Sequence, residues 1–216
     1  DKTIFEVYLS SNGKINENTL FDMASVTKIL ATTNLCLIAL EKGLLDLSAK
    51  ASSFFKCAEK PDMTIFNLLT HTMGIGHKSL NNPENNYDNI GEYILKIPSD
   101  IPIGSNVLYS CPGFILLGKI LEKVFGNSLD LLFKEYVCKP LEMESTGYHP
   151  FDKSNVVNSN IEEDLIGVVN DYNCKHLGGV AGNAGVFSNI KDLTKYVKFL
   201  LLNGYPLINE KTFKSA

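Results

Sequence analysis

Apolar residues recur at helical spacing along most of this chain, and only one stretch reads as a strand. That stretch is Thr3–Leu9, closed by a turn at Ser10-Ser-Asn-Gly13. Residues 25–42 predict a helix whose apolar face carries Ile29, Leu30, Leu35, Leu37, Ile38 and Leu40, with Gly43 as its stop. Ile65–His71 predicts a short helix running into a glycine-rich loop, and Ser79–Tyr87 a polar, asparagine-rich loop. Pro112–Phe125 gives the clearest helix. Pro112 suits its first position, Phe114, Leu117, Ile120, Leu121 and Val124 fall on one face, and Gly126 ends it. Ser128 is placed to cap a helix over Leu129–Cys138 that stops before Pro140. Ser188 or Asn189 is placed to cap a last helix, Lys191–Leu202, ended by Gly204. The pattern predicts mostly helix, with no internal repeat and no linker.

Composition narrows the function classes. The 216 residues are 44% hydrophobic and 20% charged, enough to bury a core without staples. Net charge is −4, and all 20 basic residues are lysines. Arginine is the preferred residue for bidentate phosphate and base-edge contacts, so its absence and the acidic balance argue against a nucleic-acid partner. The five cysteines, Cys36, Cys57, Cys111, Cys138 and Cys174, form no Cys-x-x-Cys pair, and the four histidines show no metal-ligand spacing. No metal and no cofactor is expected. Apolar runs such as Leu35–Leu40 are far too short to cross a bilayer, so no transmembrane segment is expected.

A serine hydroxyl becomes a useful nucleophile only when something takes its proton. Ser-x-x-Lys places an amine one helical turn from a hydroxyl, on the same face. The chain contains this spacing four times: Ser11/Lys14, Ser25/Lys28, Ser53/Lys56 and Ser188/Lys191. The first straddles a turn, the third has no apolar shell, and the fourth sits at an expected helix cap. Ser25/Lys28 opens a strongly apolar helix, where the helix start favours negative charge developing on the serine. Taken alone, the local stretch reads first as an N-cap serine and a solvated lysine, because capping is commoner than catalysis.

The longer string Phe21-Asp-Met-Ala-Ser25-Val-Thr-Lys28 resembles the nucleophile motif of the serine β-lactamase and D-alanyl-D-alanine peptidase family, in its class C-like, penicillin-binding and esterase branch. The resemblance continues in order through Gly43–Leu47, Leu68-Leu-Thr-His71-Thr-Met-Gly74, Tyr109-Ser110-Cys111, Lys139–Met143 and Gly178–Ser188, covering roughly Thr19 to Gly204. It implies an α+β, mostly helical fold of the β-lactamase/D,D-peptidase kind, with the antiparallel sheet largely missing from this chain. One domain over 1–216 is expected, with 1–18 as sheet fragment and turn and 19–204 as the helical core carrying both motifs. The family's roles fall on Ser25 as nucleophile, Lys28 and Tyr109 as the groups handling its proton, and Cys111 as a substrate-binding position. Cys111 stands where the family has asparagine, and a thiol is a weak donor and acceptor.

The expected partner is a small-molecule or peptide acyl substrate: a β-lactam, a D-alanyl peptide or a small ester. Nothing in Tyr205–Ala216 resembles the family's third motif, a Lys- or His-Thr-Gly strand, so a further segment completing the site is expected and the 216 residues alone are expected to be nearly inactive. The alternative is a non-catalytic protein that binds β-lactams or peptidoglycan peptides, or a relic scaffold. His71 is read as a structural hydrogen-bonding residue, and Cys111 as lacking the helix start or cation a reactive thiol needs. The compartment stays open: a bacterial envelope or extracellular location if a leader was removed, the cytoplasm otherwise.

Overall fold

The computed structural model describes residues 5, 7–10, 15–56, 59–82, 86–150, 152–158 and 165–215. Among these the fold is mostly helical, with one small antiparallel sheet. The sheet has three strands, β1 (Phe21–Asp22), β2 (Gly147–Tyr148) and β3 (Val186–Ser188), in the order β1-β3-β2. Phe21 pairs with Ser188, and Gly147 with Phe187. Phe5 and Val7–Ser10 lie in no strand; the rest of the expected Thr3–Leu9 strand and most of its turn fall outside the described residues. Cys57 and Ser11/Lys14 fall outside them too.

The helix expected over 25–42 is three segments in one continuous run. A 3-10 turn covers Ala24–Val26, a π-helical stretch covers Lys28–Thr33, and α1 covers Asn34–Glu41. Buried Asn34 explains how the wide middle is tolerated. Its amide donates to the carbonyls of Ile29 (2.9 Å) and Leu30 (3.0 Å) and to the Tyr196 hydroxyl (2.9 Å). Wide turns of this kind concentrate at functional sites. By length and composition Ala24–Glu41 would also cross a membrane, but Leu30, Ala31, Leu35, Cys36 and Ala39 are wholly buried inside the protein.

Short helices α2 (Ile65–Leu69) and α3 (Ile90–Lys96) lead to the central helix α4 (Cys111–Phe125). α4 packs against α1, α2, α3 and α5 (Leu129–Phe133), burying Phe114, Leu116, Leu117, Ile120 and Leu121. Full burial of each such side chain contributes about 1.5–3 kcal/mol before entropy is counted. The Ser110 hydroxyl caps α4 by accepting the Gly113 N–H at 3.1 Å, and Gly126 closes it with φ +73°. Ser128 precedes α5 but makes no side-chain cap; the Leu129 N–H donates to Glu122 of α4 at 3.0 Å. A second π-helical stretch, Lys134–Cys138, follows α5.

The last third comprises α6 (Tyr172–His176), β3, α7 (Ile190–Leu201) and α8 (Glu210–Ser215). Asn189, not Ser188, caps α7, accepting the Asp192 N–H at 2.9 Å. Ser188 is buried in β3 and shares a 2.7 Å hydrogen bond with Thr146, while Lys191 pairs with Glu17. The Ser188/Lys191 spacing therefore brings no amine to that hydroxyl.

Candidate active site

The chain turns sharply into the segment that carries Ser25. Asp22 accepts the Ala24 N–H with one carboxylate oxygen and the Asn170 N–H with the other, each at 2.8 Å. Ala24 adopts a left-handed φ of +43°, a conformation that costs a non-glycine residue on the order of 1 kcal/mol or more. The strain persists because β3 holds both sides of the turn. The Met23 N–H donates to the Val186 carbonyl at 2.9 Å, and the Val186 N–H donates to the Thr27 hydroxyl at 3.2 Å. Ser25 follows, exposed, its N–H in the opening turn where helices leave donors open.

Lys28 lies one turn on, and its side chain runs inward. The residue is 4% exposed, and each of its three N–H bonds has an acceptor. These are Ser25 Oγ at 3.0 Å, the Asn183 carbonyl at 3.0 Å and Cys111 Sγ at 3.6 Å. Tyr109 comes from the segment before α4. Its hydroxyl lies 2.8 Å from Ser25 Oγ, and its ring passes 4.9 Å from Lys28 Nζ. Ser25, Lys28, Tyr109 and Cys111 thus meet at one place, 84 residues of chain separating Ser25 from Tyr109.

Cys111 is the first residue of α4 and nearly buried, so its contact is with the lysine. It has both the helix start and the neighbouring cation that the sequence reading denied it. The shift of one residue in the helix start is the reason: Ser110, not Cys111, is the cap. Cys36 and Cys138 lie away from this site; burial pushes both thiols up to about 12.

One contributor, the Asn183 carbonyl, leaves no sign in the sequence. The loop 178–185 brings it in by running tight against α4. A side chain at Gly182 would lie 2.0 Å from the Phe114 carbonyl oxygen. Thr32 fastens the preceding peptide, donating to the Gly182 carbonyl at 2.7 Å. The Asn183 amide donates to Asp171 at 3.0 Å, and Asp171 also caps α6. Glycines in that loop were legible as points of close approach, but not what they approach. His71 is half-buried beside Tyr109, whereas His77 and His149 are exposed. Burial, and then the Lys28 charge, hold the His71 imidazole below its ordinary value of 6.5. Among the described residues no cluster of side chains suits a metal ion.

A family model described as Beta-lactamase matches residues 2–214. The chain belongs to the beta-lactamase family. An N-acetylmuramyl-L-alanine amidase of Bacillus subtilis (strain 168) is 29% identical over 228 residues, covering 88% of this chain and 52% of that protein. The chain spans about half the length of the curated relatives it matches. Solved structures share the fold. The octameric penicillin-binding protein homologue from Pyrococcus abyssi superposes with a TM-score of 0.75 at 22% identity, over 93% of this chain and 49% of that one. A beta-lactamase/D-alanine carboxypeptidase from Yersinia pestis gives 0.64 at 19%, over 87% and 55%.

Proposed function

We propose that this beta-lactamase family chain is the acyl-accepting part of a serine hydrolase, with Ser25 as nucleophile. The observation that carries the reading is the meeting of three atoms: Ser25 Oγ lies 3.0 Å from Lys28 Nζ and 2.8 Å from Tyr109 Oη. These are hydrogen-bond distances for proton transfer between a nucleophile and its base.

The substrate is a β-lactam, a D-alanyl peptide or a small ester. Ser25 Oγ bonds to the substrate carbonyl carbon as its proton passes to Tyr109 Oη, which accepts it in the phenolate form, paired with the Lys28 ammonium beside its ring. Lys28 stabilises the charge that develops between the two oxygens. The Ser25 N–H donates to the carbonyl oxygen as it becomes an oxyanion. The carbonyl carbon then loses its amine or alkoxide, which takes the proton back from Tyr109. Water repeats the sequence on the ester and restores Ser25. Cys111 acts by contact with Lys28, as one of the acceptors that keep the amine on Ser25.

A binding-only reading draws on Cys111 as well, because a thiol orients a substrate amide poorly. Covalent labelling separates the two. The chain is incubated with a fluorescent penicillin or a fluorophosphonate, and the adduct is located by peptide mass spectrometry. Stoichiometric labelling on Ser25, absent in Ser25→Ala, supports the hydrolase. A protein that binds the penicillin reversibly and labels with neither reagent is a binding protein.

A further inference from the structure

His71 lies outside the trio of Ser25, Lys28 and Tyr109, yet it grips the backbone on both sides of Tyr109. Its carbonyl accepts the Leu108 N–H at 2.8 Å. Its Nδ1 accepts the Ser110 N–H at 3.0 Å. Its ring rests against the Tyr109 ring at 4.7 Å and the Phe114 ring at 5.0 Å. The backbone at His71 is itself left-handed, with φ +57°, which turns carbonyl and ring toward the same neighbouring segment. Two hydrogen bonds and a ring contact therefore converge on the one residue whose phenol must stay over Ser25.

We propose that His71 is a positioning residue: as a neutral imidazole it holds the Tyr109 phenol at Ser25, and on taking up a proton it lets that segment go. The proposal rests on the role given to Tyr109 above. An imidazole accepts a hydrogen bond at Nδ1 only through a lone pair. Protonation turns that atom into a donor facing the Ser110 N–H, so donor meets donor. The titratable groups facing His71 are Lys28 from the nucleophile helix and Tyr109 from the segment before α4. α4 presents the Phe114 ring, and α2 carries no titratable side chain. Lys28 opposes a second positive charge, and burial acts in the same direction. Holding Tyr109 at rest and releasing it in acid thus follow from one contact.

The test follows the Ser110 amide by hydrogen exchange and NMR between about pH 5 and 8, beside the His71 imidazole signals and the rate of Ser25 labelling by a fluorophosphonate. In the unmodified protein, Ser110 protection and labelling rate fall together as His71 takes its proton. His71→Asn keeps an acceptor oxygen near the Nδ1 position, suits a left-handed backbone and does not titrate. It keeps Ser110 protected and loses that acid limb of the rate profile. His71→Ala leaves Ser110 unprotected at every pH and slows labelling by about 10²-fold, the usual effect of a displaced catalytic group. Ser110 protection that ignores the His71 titration, or an unchanged acid limb in His71→Asn, overturns the proposal. Should His71→Ala fail to fold, the asparagine variant and the amide signal still decide. Absence of labelling at any pH, with the amide coupling intact, overturns the hydrolase reading and leaves the grip on Tyr109 standing.

Discussion

Gly182→Ala links the scaffold to the chemistry through a single carbon. The new Cβ would lie 2.0 Å from the Phe114 carbonyl oxygen and 3.0 Å from the Gly118 nitrogen. Both are backbone atoms of the central helix, within its buried stretch 111–118, so they cannot swing aside. The loop must retreat by about 1 Å or more to restore ordinary contact. Asn183 follows in the chain, so its carbonyl, now 3.0 Å from Lys28 Nζ, moves out toward about 4 Å, beyond hydrogen-bond reach. The same retreat stretches the 2.7 Å bond from Thr32 to the Gly182 carbonyl. Overpacking of this kind costs about 1–3 kcal/mol. For a chain of this size that lowers Tm by roughly 2–12 °C. Lys28 also loses one of its three acceptors, so the rate of Ser25 labelling falls more than the Tm shift alone would explain. The assay is thermal unfolding by circular dichroism beside fluorophosphonate labelling at a temperature where the variant is folded. Gly147→Ala is the control, because nothing lies within 4 Å of its Cβ position. A Gly182→Ala protein with the parent's Tm and labelling rate refutes the idea that this loop fixes the lysine.

Asn34→Leu removes three hydrogen bonds, two of them buried, at the wide part of the Ser25 helix, while Tyr196 still donates to the Ile29 carbonyl. It is expected to lower stability by about 2–4 kcal/mol, read from the urea midpoint. The thiols of Cys36 and Cys138, both raised to about 12, stay unalkylated by iodoacetamide in the folded protein at neutral pH and react only once urea unfolds it; peptide mass spectrometry reads each site. His71 adds a pH term to stability. Its value is depressed in the folded state, so the unfolded chain takes the proton first. The stability it contributes is full above 6.5 and is lost as pH falls through its folded value. Urea titrations of the parent and His71→Asn at several pH values isolate that difference, which vanishes if His71 is not held neutral.

Periodicity and turn chemistry made the helical scaffold legible. The apolar face of Phe114, Leu117, Ile120 and Leu121 gave α4 almost to the residue, and Gly126 gave its end, because both reflect local rules that burial reinforces. Local rules failed where distant chain intervened. Asn34 reads as an ordinary helical residue, and nothing in the sequence shows its amide reaching back to the Ile29 and Leu30 carbonyls and across to Tyr196, 162 residues away. Ser128 has the right chemistry for a cap but makes no such bond, and the first N–H of α5, at Leu129, is met from α4 by Glu122. At the site, Ser25 and Lys28 were legible because they share a helix face. Tyr109 required the family resemblance, since no spacing rule links residues so far apart. The Asn183 carbonyl was invisible: a backbone oxygen leaves no mark in the sequence, and only the glycines around it hinted at close approach.

The central claim is that Ser25, Lys28 and Tyr109 work as one unit, and a double-mutant cycle on Ser25 acylation tests it most directly. Labelling rates are measured for the parent, Lys28→Met, Tyr109→Phe and the double variant, with folding checked for each. Groups that act together lose most of the rate with the first substitution, so the double variant should be scarcely slower than either single one. Rate losses that simply multiply, or single variants that label as fast as the parent, contradict the account.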